Sequence, residues 1–214
     1  MYGATETAPL VTAVRHLERR LDTPQARTCG RPLVGVEARI VEPQERTPVA
    51  AGEVGEVAVR GPNVMAGYWR KPAQTDAVLA DGWYHTGDLG RLDEDGYLYL
   101  VDRAKDMIVS GGENVFSTVV EDVLYRHPAV LEAAVFGVPD ARWGEAVHAV
   151  VVPRAVVAEN DLIAHCRESI AGYKVPKRIE IRDEPLPKSG AGKLLKRELR
   201  APYWEGRESM VSGA

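Results

Sequence analysis

Cysteine is nearly absent: the 214 residues contain only Cys29 and Cys166. The two are far apart and neither belongs to a Cys-x-x-Cys pair. That spacing excludes a disulfide framework and a zinc site, and it fits a reducing cytoplasm. A basic excess is missing as well. Lys and Arg number 27 against 31 Asp and Glu, a net charge of −4, and the isoelectric point is about 5.8. Nucleic-acid binders usually carry a basic face, so the expected partners are small molecules or proteins. No apolar run reaches the length of a membrane span, and the N-terminus lacks the basic-then-apolar pattern of an export signal. Internal repeats and low-complexity tracts are also lacking. What is present is ordinary for a globular protein, with 45% hydrophobic and 27% charged residues, far from a disordered composition. Met1 runs straight into Tyr2-Gly3-Ala4-Thr5-Glu6-Thr7, as if the sequence opened partway through a longer one.

Residues 1–104 read mainly as β-structure. Val34, Val36, Ala38 and Ile40 alternate as in a half-buried strand, Val57 and Val59 continue the pattern, and Tyr97, Tyr99 and Val101 give a third run. The acidic turn Asp93-Glu94-Asp95-Gly96 lacks calcium-loop spacing and reads as a hairpin connection. From Lys105 the pattern changes. Ser117 or Thr118 is placed to cap a short helix, with Thr118 and Glu121 spaced as a capping box and Pro128 ending it. Strands are expected over 130–138, 146–152 and 178–182. A helix is expected over 161–171, with Leu162, Cys166 and Ile170 on one face and Gly172 as its C-terminal cap. A last short helix follows over 194–199. The predicted class is α+β, with residues 105–214 forming a compact module of usual domain size.

Four segments are polar or Gly-rich beyond what such a fold demands. Tyr2-Gly3-Ala4-Thr5-Glu6 combines an aromatic face, a hydroxyl and a carboxylate, enough to stack a base, bond a phosphate and hold magnesium, although taken alone it reads better as a strand end and a turn. In Trp83-Tyr84-His85-Thr86-Gly87-Asp88-Leu89, an Asp on a Gly-permitted turn suits two ribose hydroxyls. Asp102-Arg103 through Lys105-Asp106 to Ser110-Gly111-Gly112-Glu113-Asn114 joins paired glycines to a guanidinium fork. It also reads as a hairpin with a solvated charge cluster. Leu186-Pro187-Lys188-Ser189-Gly190-Ala191-Gly192-Lys193 fails the Walker test, because Pro187 replaces the first glycine and Leu194 replaces the Ser or Thr after the lysine. A lysine at such a loop tip is either simply exposed or a mobile cation for an anionic site.

In this order, the four segments resemble the successive core motifs of the adenylate-forming superfamily, which includes acyl- and aryl-CoA ligases, luciferases and peptide-synthetase adenylation domains. The resemblance runs from Tyr2 to about Arg200. Cys29-Gly30-Arg31-Pro32, Gly67-Tyr68-Trp69, Pro139-Asp140-Ala141-Arg142-Trp143-Gly144-Glu145 and Tyr173-Lys174-Val175-Pro176-Lys177 agree with it. The Trp-Gly-Glu and Tyr-Lys-x-Pro-Lys forms look more like acyl-CoA ligases than peptide-synthetase modules.

The resemblance implies that residues 1–104 are a β-rich remnant of the large AMP-binding domain and that 105–214 are its small mobile lid domain. It implies that Tyr2 stacks on adenine, Thr5 contacts the α-phosphate, Glu6 helps bind Mg2+, Asp88 takes the ribose hydroxyls and Arg103 assists. Lys193 would be the catalytic cation of adenylation and Lys105 the hinge. Gly111 and Gly112 would line the thiol tunnel, with Trp143, Tyr173 and Lys177 contacting CoA. Two positions depart from the pattern: Val175 stands where some relatives carry an arginine, and Val119 where a glutamate is common. The implied triphosphate loop and most of the acyl pocket would lie upstream of Tyr2. The leading expectation is therefore the C-terminal portion of a cytoplasmic ligase that uses ATP, CoA and a carboxylic acid (a fatty acid by family), inactive alone and needing a complementary N-terminal polypeptide. A non-catalytic CoA- or partner-binding module and a carrier-protein-loading partner stand beside it.

Overall fold

In the computed structural model, which describes residues 1–15, 24–190 and 192–206, the chain divides into two units, Met1–Ala104 and Lys105–Ala214. Among the described residues no helix is long and apolar enough to cross a membrane. Residue 191 of the glycine loop and residues 207–214 of the second unit lie outside the described residues.

The first unit opens with a small antiparallel pair, β1 (Thr12–Ala13) and β2 (Arg31–Pro32), to which Tyr2 adds a bridge opposite Thr12. Its main sheet is built from β3 (Glu37–Val41), β4 (Gly55–Arg60), β5 (Leu79–Ala80), β6 (Trp83–Leu92) and β7 (Leu98–Arg103). Every pairing in it is antiparallel, in the order β3-β4-β6-β5 with β7 also on β6. Val57 and Val59 point to one face, where Tyr2, Val11, Ile40, Tyr84 and Leu98 complete a core. Ala58 points to the other, against Val41 and Trp83. The period-2 pattern thus does its expected work, but the first strand starts at Glu37. Val34 belongs to the turn before it and is fully exposed.

The segment read as a turn carrying Asp88 is instead the middle of β6, the longest strand of this unit. One helix was not foreseen, α1 (Pro72–Val78), a seven-residue element with Pro at its start and no buried residue. It has no apolar stripe to reveal it.

The second unit orders its sheet β10-β11-β8-β9, with β12 alongside β11. The elements are β8 (Ile108–Ser110), β9 (Glu113–Val115), α2 (Ser117–Arg126), β10 (Val130–Asp140), β11 (Gly144–Pro153), α3 (Glu159–Ser169), β12 (Arg178–Ile181) and α4 (Lys196–Trp204). Among the described residues only the β11–β12 pairing is parallel, and α3 supplies the crossover that a parallel pair requires. Ala133 and Val135 face α2 and α3, while Ala134 and Phe136 face α4. Both faces of the β10–β11 hairpin are therefore covered, which explains why its strands read as nearly continuous apolar runs.

Three local expectations give way to tertiary partners. The helix starts at Ser117 with Phe116 as its N-cap and no side-chain cap, so neither Ser117 nor Thr118 is the cap residue. Glu121 instead accepts from Val135 N at 2.8 Å and pairs with Lys196 at 2.7 Å, and buried Ser117 accepts from the same lysine. Helix α3 stops at Ser169, because Ile170 turns extended and packs back on the core. Gly172 then starts a separate 3-10 turn, Gly172–Lys174, and is not the cap. Helix α4 runs past Leu199 to Trp204 despite Pro202, held by its last aromatics. Trp204 Nε1 donates to Gly137 O at 3.0 Å, and Tyr203 OH donates to Glu180 Oε2 at 2.7 Å.

The single phenolic proton of Tyr203 goes to Glu180, so His148 Nε2, 3.1 Å away, must carry a hydrogen and donate to the phenol oxygen. Burial holds the His148 pKa below its ordinary 6.5, with Arg178 and Arg182 reinforcing and Glu180 and Glu159 opposing. A base with a depressed folded pKa stabilises the fold above its unfolded pKa and loses that contribution as pH falls. The hydrogen bonds of Glu180 and Glu132 to Arg182 and Lys188 lower both carboxyls from 4.5, so their share is lost further down. Thermal unfolding followed by circular dichroism is expected to show Tm falling from pH 7 to 5, a slope that His148→Leu flattens. An unchanged slope in the variant would show that His148 is not the titrating group.

Candidate functional site

The first unit brings together most of the residues singled out at its ends. Tyr2 is fixed by its bridge, with Tyr2 N donating to Thr12 O at 3.0 Å and Val11 N donating to Tyr2 O at 2.9 Å. Its ring is buried in the core, and its hydroxyl donates to Asp88 Oδ2 at 2.8 Å. The β6–β7 register sets Asp88 opposite Arg103, whose Nε lies 3.3 Å from Asp88 Oδ1. Asp88 thus meets a phenol on one oxygen and a guanidinium on the other, 86 residues of sequence having folded to bring Tyr2 to it. Burial, then the neighbouring carboxylate, raises the Tyr2 pKa well above its ordinary 10. The phenol therefore stays protonated as a donor at any working pH.

Glu6 lies in the 3-10 turn Thr5–Thr7, with Thr5 exposed at its start. The segment 63–68, unremarked in the sequence apart from its Gly-Tyr-Trp match, holds that turn. Asn63 Nδ2 donates to Thr7 O and Leu10 O at 2.9 and 2.8 Å, Met65 N donates to Glu6 O at 2.8 Å, and Tyr68 OH donates to Glu6 Oε1 at 3.0 Å. Helix α1 fixes Tyr68 in turn, because Thr75 Oγ1 accepts from Tyr68 N at 2.9 Å. Tyr84 senses both carboxylates: burial raises its pKa most, then the charges of Glu6, Tyr68 and Asp88. Two acidic groups thus flank a set of protonated phenols and one guanidinium. Such a site suits a ligand with hydroxyls and a cation-balanced phosphate. No group of three or more His, Cys, Asp or Glu gathers as a metal cage among the described residues.

In the second unit, Gly111 and Gly112 make the β8–β9 turn with φ of +63° and +86°. Gly111 N donates to Trp143 O at 2.8 Å, and the indole lies against the glycine. The Asp140 carboxylate orders the neighbouring β10–β11 turn by accepting from Arg142 N and Trp143 N at 2.8 and 2.9 Å. Trp143 is 38% exposed. The Arg142 guanidinium stands 4.6 Å from its ring centre and the Lys177 ammonium 5.7 Å. Gly111, Trp143 and Lys177 therefore form one cationic aromatic platform. Tyr173 sits apart on its 3-10 turn, half exposed, under Lys174.

Lys193 belongs to a tight exposed loop closed by the bridge between Lys188 and Leu194. Ser189 N donates to Lys193 O and Gly192 N to Ser189 O, both at 2.8 Å. Lys188 pairs with Glu132, anchoring the loop base to β10. Lys105 lies in the 3-10 turn Ala104–Asp106 where the two units join, and its carbonyl accepts from Arg200 at 3.4 Å. Arg200 also reaches Glu145, which is 1% exposed and whose pKa burial raises against the opposing pull of Val109 N and Arg200. Sequence reasoning missed Glu145 as a group linking hinge and helix, and it missed buried Glu56. In each case the available signal was a carboxylate set in an apolar run, where an acid is almost never buried without a partner.

Residues 1–69 match the family model of the AMP-binding enzyme, and residues 119–193 that of the AMP-binding enzyme C-terminal domain. The chain is 48% identical over 204 residues to a feruloyl-CoA synthase of Amycolatopsis sp, covering 94% of this chain and 40% of that protein. It is equally identical, 48% over 200 residues, to a long-chain-fatty-acid–CoA ligase of Salmonella typhimurium, covering 93% and 35%. ATP-bound MatB from Rhodopseudomonas palustris matches with a TM-score of 0.85 and 37% identity, over 94% of this chain and 40% of that one. The chain thus spans 35–40% of the length of these curated relatives.

A Cβ on Gly111 would stand 2.6 Å from Trp143 Cε3, at a positive φ of +63°. Gly111→Ala is expected to push the indole outward, red-shifting its emission, and to cost roughly 1–2 kcal/mol in urea unfolding. Unchanged emission and stability would mean the turn and the indole are not packed as described.

Proposed function

This chain belongs to the AMP-binding, adenylate-forming enzymes, and from that membership we propose that it supplies the C-terminal part of a cytoplasmic acid–CoA ligase, converting acid, ATP and CoA to acyl-CoA, AMP and pyrophosphate. The observation that carries the reading is the Tyr2, Asp88 and Arg103 cluster with Glu6 in the same unit. It joins a ribose acceptor to an acidic group near a phosphate position, on the residues that the motifs had marked. The acid is a carboxylic acid with an extended apolar or aromatic body, since the equally similar relatives are named for feruloyl and long-chain fatty acyl groups.

In this reading Asp88 accepts the ribose hydroxyls while Tyr2 and Arg103 hold its two oxygens in place. Tyr2, 8% exposed, would offer the adenine only the part of its ring left open, and Thr5 bonds the α-phosphate. Glu6 is a lone carboxylate, which fits magnesium, an ion usually bound by one or two carboxylates with substrate phosphates completing its shell. That ion would neutralise phosphate charge. Lys193 supplies its cation where negative charge builds during adenylation, an electrostatic contribution worth about 10²–10³-fold. Lys105 is the hinge between the half-reactions, and the Gly111, Gly112, Trp143 and Lys177 platform, with Tyr173, receives CoA. Val119 sits in α2 and Val175 is buried in the core, so neither offers the polar contact that some relatives carry there. The triphosphate loop and acyl pocket come from further polypeptide.

Two outcomes follow. The 214 residues alone are expected to give no acid-dependent ATP–pyrophosphate exchange, because the remaining contacts cannot position the β- and γ-phosphates. Robust exchange by the isolated chain would contradict this. When the chain replaces the matching portion of a relative, Lys193→Ala is expected to lower exchange about 10²-fold or more while sparing thioester release from pre-made acyl-adenylate. Lys105→Pro should spare exchange and block thioester release, since a fixed φ stops the rotation. Equal damage to both half-reactions by both variants would rule out the two-orientation mechanism.

A further inference from the structure

The β4–β6 pairing contains an irregularity directly at Asp88. Glu56 pairs with Leu89 and Ala58 with His85, so one residue of β4, Val57, faces three of β6: Thr86, Gly87 and Asp88. Two extra residues in one strand push the backbone out of the ladder and leave its amides without partner carbonyls. The sequence supplies substitutes. Thr86 Oγ1 donates to Val57 O at 2.8 Å and accepts from Asp88 N at 3.1 Å. Gly87, with φ of +70°, points its N–H inward, and Glu56 Oε1 accepts it at 2.8 Å. The other oxygen, Glu56 Oε2, lies 3.1 Å from His85 Nδ1.

This carboxylate is out of place by composition. Glu56 is 9% exposed, beside Val57, Ala58 and Val59 at 0%, and His85 is 5% exposed. Burying an acid is costly unless its oxygens are satisfied, and replacing such pairs by apolar residues often leaves stability unchanged or better. Packing alone therefore gives no reason for an acid here. The distortion that Glu56 stitches carries Thr86 and Asp88, and of their two side chains Asp88 is the one that meets Tyr2 and Arg103.

We infer that Glu56, with His85, is a positioning residue for the nucleotide site: its carboxylate replaces the strand carbonyl that Gly87 lacks and so aims Asp88 at the ribose. This rests on the reading of Asp88 as the ribose acceptor. Glu56 itself touches no substrate. It fixes the bulge from inside the sheet, while Tyr2 and Arg103 fix the carboxylate from outside.

The test compares AMP with 2′,3′-dideoxy-AMP, binding each to the full chain by calorimetry. Hydrogen bonds to a charged acceptor predict that the wild-type chain prefers AMP by about tenfold or more. Glu56→Ala should bring that preference to within about threefold while binding dideoxy-AMP within about threefold of wild type. A purely structural role would weaken both ligands alike. Glu56→Gln retains an oxygen for Gly87 N–H and should restore most of the preference. Full discrimination by Glu56→Ala overturns the inference and leaves the ribose reading intact. A wild-type chain blind to the hydroxyls overturns both. Should Glu56→Ala bind neither nucleotide, Glu56→Gln decides, retained preference supporting the clamp and lost preference overturning it.

Discussion

The arrangement around Asp88 depends on keeping a charged carboxylate in one orientation at a bulge in the middle of a paired strand. A carboxylate there has water on one side and apolar core on the other, and without partners it would rotate or turn outward. Tyr2 and Arg103 prevent this by taking one oxygen each. Their own positions are inherited from the ladder: Tyr2 through its bridge to Thr12, Arg103 through its register opposite Asp88. The first unit can thus be understood as a β-framework whose bridges and bulge converge on one acid. The same logic serves Glu6, which depends on Tyr68 and, through Thr75, on the otherwise featureless helix α1.

The second unit solves a different problem, holding an exposed lysine loop and an exposed indole turn on a rigid base. Both are attached to the covered β10–β11 hairpin, the loop through Lys188 and Glu132, the indole through Asp140. Rigid strands beneath and short turns above give reach without floppiness, as functional loops on a scaffold generally do.

Much of this was legible in the residues. Alternation revealed the strands at Val57 and Tyr99, an apolar stretch revealed the one at Val135, and the Gly-rich and acidic segments marked Asp88, Gly111 and Lys193. Three kinds of feature were hidden. Local capping at Thr118 was a sound expectation that lost to Lys196, a partner 75 residues downstream of Glu121. Helix α1 carries no apolar stripe, and its contacts with Tyr68 and Arg46 leave no periodic mark in the sequence. The irregular register at Asp88 leaves no periodic trace, because a bulge is a departure from the very pattern that reveals a strand. Its sole mark in the sequence is the acid at Glu56.

The partner of buried Glu145 comes late in the chain. Arg200 lies 55 residues after it, in the helix that also covers Phe136 and Val150 with Leu199 and Tyr203. As the polypeptide emerges from the ribosome, β10 and β11 can pair at once, since only a short turn joins them. Their second face stays bare and the Glu145 charge unmatched until α4 follows. Helix α4 therefore closes that face, and synthesis halted before it yields a hairpin whose uncovered valines and unpaired acid make it a substrate for proteolysis and chaperones.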